Sequence, residues 1–220
     1  MHLVGLLPIW AVVVAAVVGL IRFRRLAQPL RYLALLVGFD ALVELAVLAL
    51  RVLLPTLPNL FLFPLIALGE VALLALAYRA ALQSATFSRL MPWVVGAFGL
   101  YALVGAWVAF HRVHYPAAIQ ITADLLQFCL AALYFWKLLR ELRVEHLHQD
   151  PFFWVSVGLV AFVLGDLFIM LFSNYLLAHY SVGLQRLVLL MVRPCFLLIL
   201  YCCYGLALWM HPPKANSLSS

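Results

Sequence analysis

The sequence predicts an all-α integral membrane protein, a bundle of seven transmembrane helices. Three observations predict it. Of the 220 residues, 68% are hydrophobic and only 10% are charged, whereas a soluble domain is about one-quarter charged. Mean hydropathy is +1.12. The apolar residues gather into seven runs, each near the roughly 20 residues that a helix needs to cross a bilayer. The connections between runs are too short for another domain. Residues 1–210 therefore read as one seven-helix domain, and 211–220 as a disordered polar C-terminal tail.

The runs are Leu3–Ile21, Tyr32–Leu54, Phe61–Leu82, Pro92–Phe110, Ala117–Trp136, Pro151–Ser173 and Val182–Met210. No positive segment precedes the first, and a basic cluster, Arg22, Arg24 and Arg25, follows it. That order suits a first span with its N-terminus outside, not a cleaved signal peptide. With that orientation the inner side carries Arg22, Arg24, Arg25, Arg31, Arg79, Arg89, Lys137, Arg140, Arg143 and Lys214, and the outer side only Arg51 and Arg112. Basic residues collect on the cytoplasmic side, so the expectation is N-terminus out, C-terminus in.

The net charge of +6 flanks apolar segments instead of forming a stripe, so nucleic acid is not an expected partner. Cys129, Cys195, Cys202 and Cys203 all fall in apolar runs. They give neither a disulfide framework nor zinc spacing, and read as small, buried, structural residues.

Spans one and four hold no ionisable residue and are expected at the periphery. Gly96, Gly99 and Gly105 of span four allow close helix approach. Span two places Asp40 and Glu44 one turn apart, and span three carries Glu70. Span five carries Gln120, Asp124 and Gln127, with Tyr134 on the same stripe. Span six carries Asp166, with Gly158 and Gly165 one heptad apart. Its start, Asp150–Pro151, is an N-cap followed by proline at the first helical position.

The seventh run contains QRLVLLMVRP, with Arg186 and Arg193 seven residues apart on one helix face. An arginine facing lipid near the bilayer centre costs about 2.5–3.5 kcal/mol on insertion scales. Both are expected to turn inward, toward acids on other spans. Five acids, Asp40, Glu44, Glu70, Asp124 and Asp166, face these two arginines, or three with Arg51. The carboxylates left over need a proton, water or a cation in low dielectric. By rise per residue the cluster lies mostly between mid-membrane and the outer face, with Asp40 deeper. It reads as an outward-facing pocket whose ligand-binding residues are Asp40, Glu44, Glu70, Gln120, Asp124, Gln127, Asp166, Arg186 and Arg193. The plain alternative is a set of structural ion pairs.

A faint internal repeat joins IRFRRLAQPLR and VGFDALVEL in spans one and two to KLLRELR and VGLVAFVLGDL in spans five and six. It fits a parallel 3+1+3 arrangement, which chance similarity between apolar segments would also produce.

No lysine lies in a span interior, which excludes a retinal Schiff base, and G-x-S-x-G, H-E-x-x-H and P-loop motifs are absent. His111, His114 and His179 have weak spacing for a metal. The sequence thus implies no cofactor, no metal site and no identifiable catalytic residue. The motifs PNLFLFPLIALGE (Pro58–Glu70) and DPFFWVSVGLVAFVLGD (Asp150–Asp166) resemble small, uncharacterised bacterial seven-helix membrane proteins. They are also similar to the seven-helix sensor modules of histidine kinases. The resemblance implies a bacterial inner membrane and a signalling context, and carries over no catalytic residue.

The expected function is a non-enzymatic receptor or sensor. It binds a small polar or cationic ligand in the outward-facing ionic pocket and acts on a separate cytoplasmic signalling partner. The bilayer is its constant partner. Two alternatives are a carboxylate-dependent lipid-modifying enzyme and a small proton- or cation-coupled transporter.

Overall fold

The structure, a computed structural model, describes residues 7–53, 62–112, 117–140, 149–179 and 191–210, with the side chains of 51–52, 109–112, 117 and 171–179 left aside. Arg186, His114 and the 211–220 tail lie outside the described residues, as do the side chains of Arg51, Arg112, His111 and His179. The described residues are almost entirely helical, with no strand among them. The helices are α1 (Leu7–Arg22), α2 (Gln28–Leu53), α3 (Leu62–Leu82), α4 (Ala85–Arg112), α5 (Ala117–Arg140), α6 (Pro151–His179) and α7 (Arg193–Trp209), with a 3₁₀ turn at Phe23–Arg25. Six of them are long and apolar enough to cross a membrane, and α7 is a shorter apolar helix of 17 residues. The protein is thus an all-α, multi-pass integral membrane protein.

The apolar runs locate the helices, but the ends differ. Span four was expected to begin at Pro92, yet α4 starts at Ala85 and carries Pro92 inside it. A membrane helix tolerates the missing N–H because neighbouring groups re-satisfy the freed carbonyl. The described part of span seven begins with a π turn at Met191–Val192, which passes into α7 at Arg193, with Pro194 in the first turn. The expected cap of α6 is present: Asp150 Oδ1 accepts the Phe152 backbone N–H at 3.0 Å.

Helices α2, α3, α5, α6 and α7 enclose the centre of the bundle, and α1 and α4 stand outside it. Helix α1 packs on α7 and α2, and α4 packs on α3 with only slight contact to α5. In the most apolar stretch of α6, 56% of residues are buried, against 28% in α1 and 22% in α4. The main apolar core runs through α1, α2, α3, α5, α6 and α7, and α4 adds to it only Met91. A separate small cluster, Ala67, Val71, Phe98, Ala102, Ile119 and Ala123, fastens α4 to α3 and α5.

Apolar side chains cover the outside as well as the inside. Leu20, Ile21, Leu42, Leu100 and Phe168 are exposed, as a surface solvated by lipid tails requires. Trp93, Trp136 and Trp209 are exposed at the helix ends that carry the basic residues, and Trp10 and Trp107 toward the opposite ends. Trp93 and Trp107 are separated along α4 by about 21 Å of helix rise. Paired tryptophan levels of this kind mark the two membrane interfaces. The cysteines correct the expectation of burial: Cys129, Cys195 and Cys202 are exposed, and Cys203 is half-buried. A thiol is a weakly polar small group, so a lipid-facing position costs it little.

The most extensive seam joins α6 and α7. A Cβ at Gly158 would lie 2.6 Å from Cys203 Cβ, and one at Gly165 would lie 2.6 Å from the Phe196 ring. Only glycine allows that approach. Of the span-four glycines, Gly105 is the one held close, against Ile119, whereas Gly96 meets nothing. Gly158→Val is expected to cost about 1–3 kcal/mol by overpacking, read as a lowered Tm in detergent. An unchanged Tm would mean that the two helices do not meet at Gly158.

Candidate functional site

A carboxylate cannot face lipid tails without heavy cost, so each acid of the apolar runs turns to the bundle interior. Asp40, Asp124 and Asp166 are buried, at 7%, 0% and 1% exposure. Glu44 and Glu70 are half-buried. Helix α2 supplies Asp40 and Glu44, α3 supplies Glu70, α5 supplies Gln120, Asp124 and Gln127, α6 supplies Asp166 and α7 supplies Arg193.

The cluster has two layers joined at Glu70. In the first, Arg193 Nε donates to Asp166 Oδ1 at 2.8 Å, and Gln120 Nε2 donates to Asp124 Oδ1 at 3.2 Å. The charges of Asp166, Glu70 and Arg193 all reach Asp124. In the second, the charges of Glu70 and Glu44 reach Asp40. Glu70 belongs to both: it shares the cavity wall with Gln127, and the fields of Arg193, Glu44 and Asp166 act on it. Eight of the nine predicted ligand-binding residues are therefore brought together. The ninth, Arg186, lies outside the described residues.

Between the layers and the basic end lies a cavity of about 40 Å³. Its polar lining is Asp40, Glu70, Gln127, Tyr201 and Tyr204. At roughly 10–15 Å³ per water, it has room for about three water molecules. Phe162, Leu197 and Leu200 close its apolar side. Leu36 and Leu74 complete the apolar lining of this cavity. The outer-end residues that would frame an outward-facing pocket, 54–61, 113–116 and 180–190, lie outside the described residues.

Three buried carboxyl oxygens, Asp40 Oδ1, Asp124 Oδ2 and Asp166 Oδ2, have no hydrogen-bond partner among the described residues. Leaving a buried acceptor unsatisfied costs about 1–3 kcal/mol, more for a charged group. Such atoms call for a proton, a water or a cation. Five carboxyl groups share the cluster with one described arginine side chain, so pairing with Arg193 cannot neutralise them. No three His, Cys, Asp or Glu side chains among the described residues converge on one metal position.

Toward the basic end, a hydroxyl and aromatic knot packs the bundle. Tyr78 and Ser156 hydroxyls are 2.8 Å apart, and both residues are fully buried. Tyr134 Oη donates to Asp150 Oδ2 at 2.6 Å. The rings of Tyr78, Tyr134 and Phe152 lie 5.7–6.0 Å apart, within the range of favourable edge contacts. Asp150 thus caps α6 and also anchors Tyr134, a second role that capping alone did not suggest. The sequence reading overlooked Tyr201, Tyr204, Tyr78 and Ser156. A hydroxyl in an apolar run does not reveal its face, although the three-residue spacing of Tyr201 and Tyr204 is a helical one.

The fold and the site define a class: a multi-pass, all-α membrane protein with an intramembrane carboxylate cluster around a small cavity. No family model, no curated protein and no solved structure matches the chain.

Proposed function

We propose that the protein is a non-enzymatic membrane receptor or sensor whose ligand is a small cation, taken into the carboxylate cluster. One observation carries this reading: an orphaned, buried carboxyl oxygen, Asp40 Oδ1, on a residue that lines a cavity of about 40 Å³ together with Glu70. That volume suits a monovalent ion or a few proton-bearing waters and is too small for a metabolite. The π turn and Pro194 beside Arg193 supply a helix irregularity at which occupancy can be converted into motion. The excess of basic residues at one end supports a bilayer orientation with that end inward and the N-terminus outside. The resemblance suggests a bacterial cytoplasmic membrane and a separate cytoplasmic signalling partner docking on the basic end.

The test is thermal stability of the purified protein against sodium, potassium, pH and a panel of organic metabolites. Saturating cation is expected to raise Tm, because a ligand held at 100 times its Kd adds about 2.7 kcal/mol to the folded state. Stabilisation by a metabolite alone would overturn the reading. The same orphaned oxygens also favour a second reading, a proton- or cation-coupled carrier. Ion flux in proteoliposomes separates the two: a receptor binds without flux, and a carrier moves the ion.

A further inference from the structure

Away from the acid cluster, a cleft of about 520 Å³ opens at the basic end between α4 and α5. Its origin is geometric. The two helices approach closely near the opposite end, where a Cβ at Gly105 would collide with the Ile119 side chain. From Gly105 to Phe87, α4 runs about 27 Å. Over that length α4 and α5 diverge, since each packs on α3 and they scarcely touch one another. The result is a V whose closed side is α3 and whose open side faces lipid.

The lining changes character along the V. Phe87, Leu133 and Trp136 form its apolar part, with Leu133 and Trp136 exposed. Gln83, Ser84, Lys137 and Arg140 form the polar mouth. The cations there have distinct tasks. Lys137 Nζ donates to the Ala81 and Leu82 carbonyls at 3.1 and 3.0 Å, closing the C-terminus of α3. Nearby Arg79 Nε donates to Ser88 Oγ at 2.7 Å. Arg140 is exposed and reaches the mouth beside the Lys137 charge. It is the guanidinium placed to meet an anion from outside.

We propose that this cleft is a binding site for one anionic phospholipid. The phosphate group sits at the mouth against Arg140, with the Lys137 charge behind it, and one acyl chain lies along Phe87, Leu133 and Trp136. Charge complementarity selects the headgroup, since guanidinium–phosphate contacts are charge-assisted and directional. Basic pockets between transmembrane helices are suited to acidic lipid headgroups. The exposed Trp136 ring at the mouth matches the interfacial level of the bilayer.

The experiment uses the full chain purified in detergent. Retained lipid is counted by native mass spectrometry after adding phosphatidylglycerol, phosphatidylcholine or inorganic phosphate. Wild type is expected to hold one phosphatidylglycerol, about tenfold tighter than phosphatidylcholine, the weight of one good charged contact. Arg140→Gln is expected to erase that preference. Leu133→Trp, which fills the acyl slot, is expected to weaken both lipids. Arg25→Gln, an exposed basic residue at the same end but outside the cleft, is expected to change neither. Equal losses from Arg140→Gln and Arg25→Gln would reduce the effect to general surface charge and overturn the site. So would equal affinity for the two lipids, or competition by inorganic phosphate as effective as that by phosphatidylglycerol.

Discussion

Arg193→Ala is expected to lower the unfolding free energy by about 3 kcal/mol, the lower end of the range for removing one partner of a buried pair. Asp166 is 1% exposed and its Oδ2 already lacks a partner; the variant orphans Oδ1 as well. The arginine side chain is 35% exposed, which argues for the lower end. Arg193 also acts on Glu70 and Asp124, so the loss spreads through the cluster. The check is a double-mutant cycle of melting curves. Arg193→Met with Asp166→Leu together should recover much of the loss, because a matched apolar pair removes both desolvation costs. If Arg193→Ala melts like wild type, the pair does not hold α6 to α7.

The acids lining the cavity are expected to behave in the opposite way. Asp40→Asn and Glu70→Gln conserve shape and remove charge from a crowded acidic cluster. Stability should change by less than about 1 kcal/mol, well under the Arg193→Ala effect, because Asp40 Oδ1 has no partner to lose. Cation binding should weaken by about 2 kcal/mol or more, roughly thirtyfold in affinity, as when one member of a desolvated charge pair is removed. The groups facing the cavity from the other helices are Gln127, Tyr201 and Tyr204, none of which can replace a lost carboxylate. Cation titrations followed by Tm measure both quantities on one sample. Two amide variants that unfold as readily as Arg193→Ala, yet still bind the cation, would make these acids structural partners and refute the proposed site.

The helices were legible because apolar runs of span length have few other physical readings. Their ends were not. Pro92 looks like a start, but its missing N–H is tolerable inside a membrane helix. The acid cluster was legible for a related reason: each of Asp40, Glu70, Asp124 and Asp166 is stranded in an apolar run and has only the interior to face. The peripheral places of α1 and α4 followed from their lack of such residues. What escaped was volume. Carboxylates can be counted along a chain, but the room between them depends on Phe162, Leu197 and Leu200, whose faces no periodicity fixes in helices that are apolar all round. The hydroxyls of Tyr78, Ser156, Tyr201 and Tyr204 escaped for the same reason.

The bond between Arg22 and the end of α7 bears on how the protein is made. Arg22 Nη1 donates to the carbonyls of Leu208 and Trp209, and its guanidinium lies 5.6 Å from the Trp209 ring centroid. Gly19 of α1 faces Leu208 of α7 at the same seam. The residues that join there are 186 and 187 positions apart. During synthesis α1 precedes α7, so α2 can cover one side of α1 early while the side that meets α7 waits. Until then Ala15, which meets Gly205 of α7, borders lipid on one side of the nascent bundle, and the glycines of α6 do so on the other. Helix α7 closes both seams, and a ribosome stalled before Arg193 leaves both of them open.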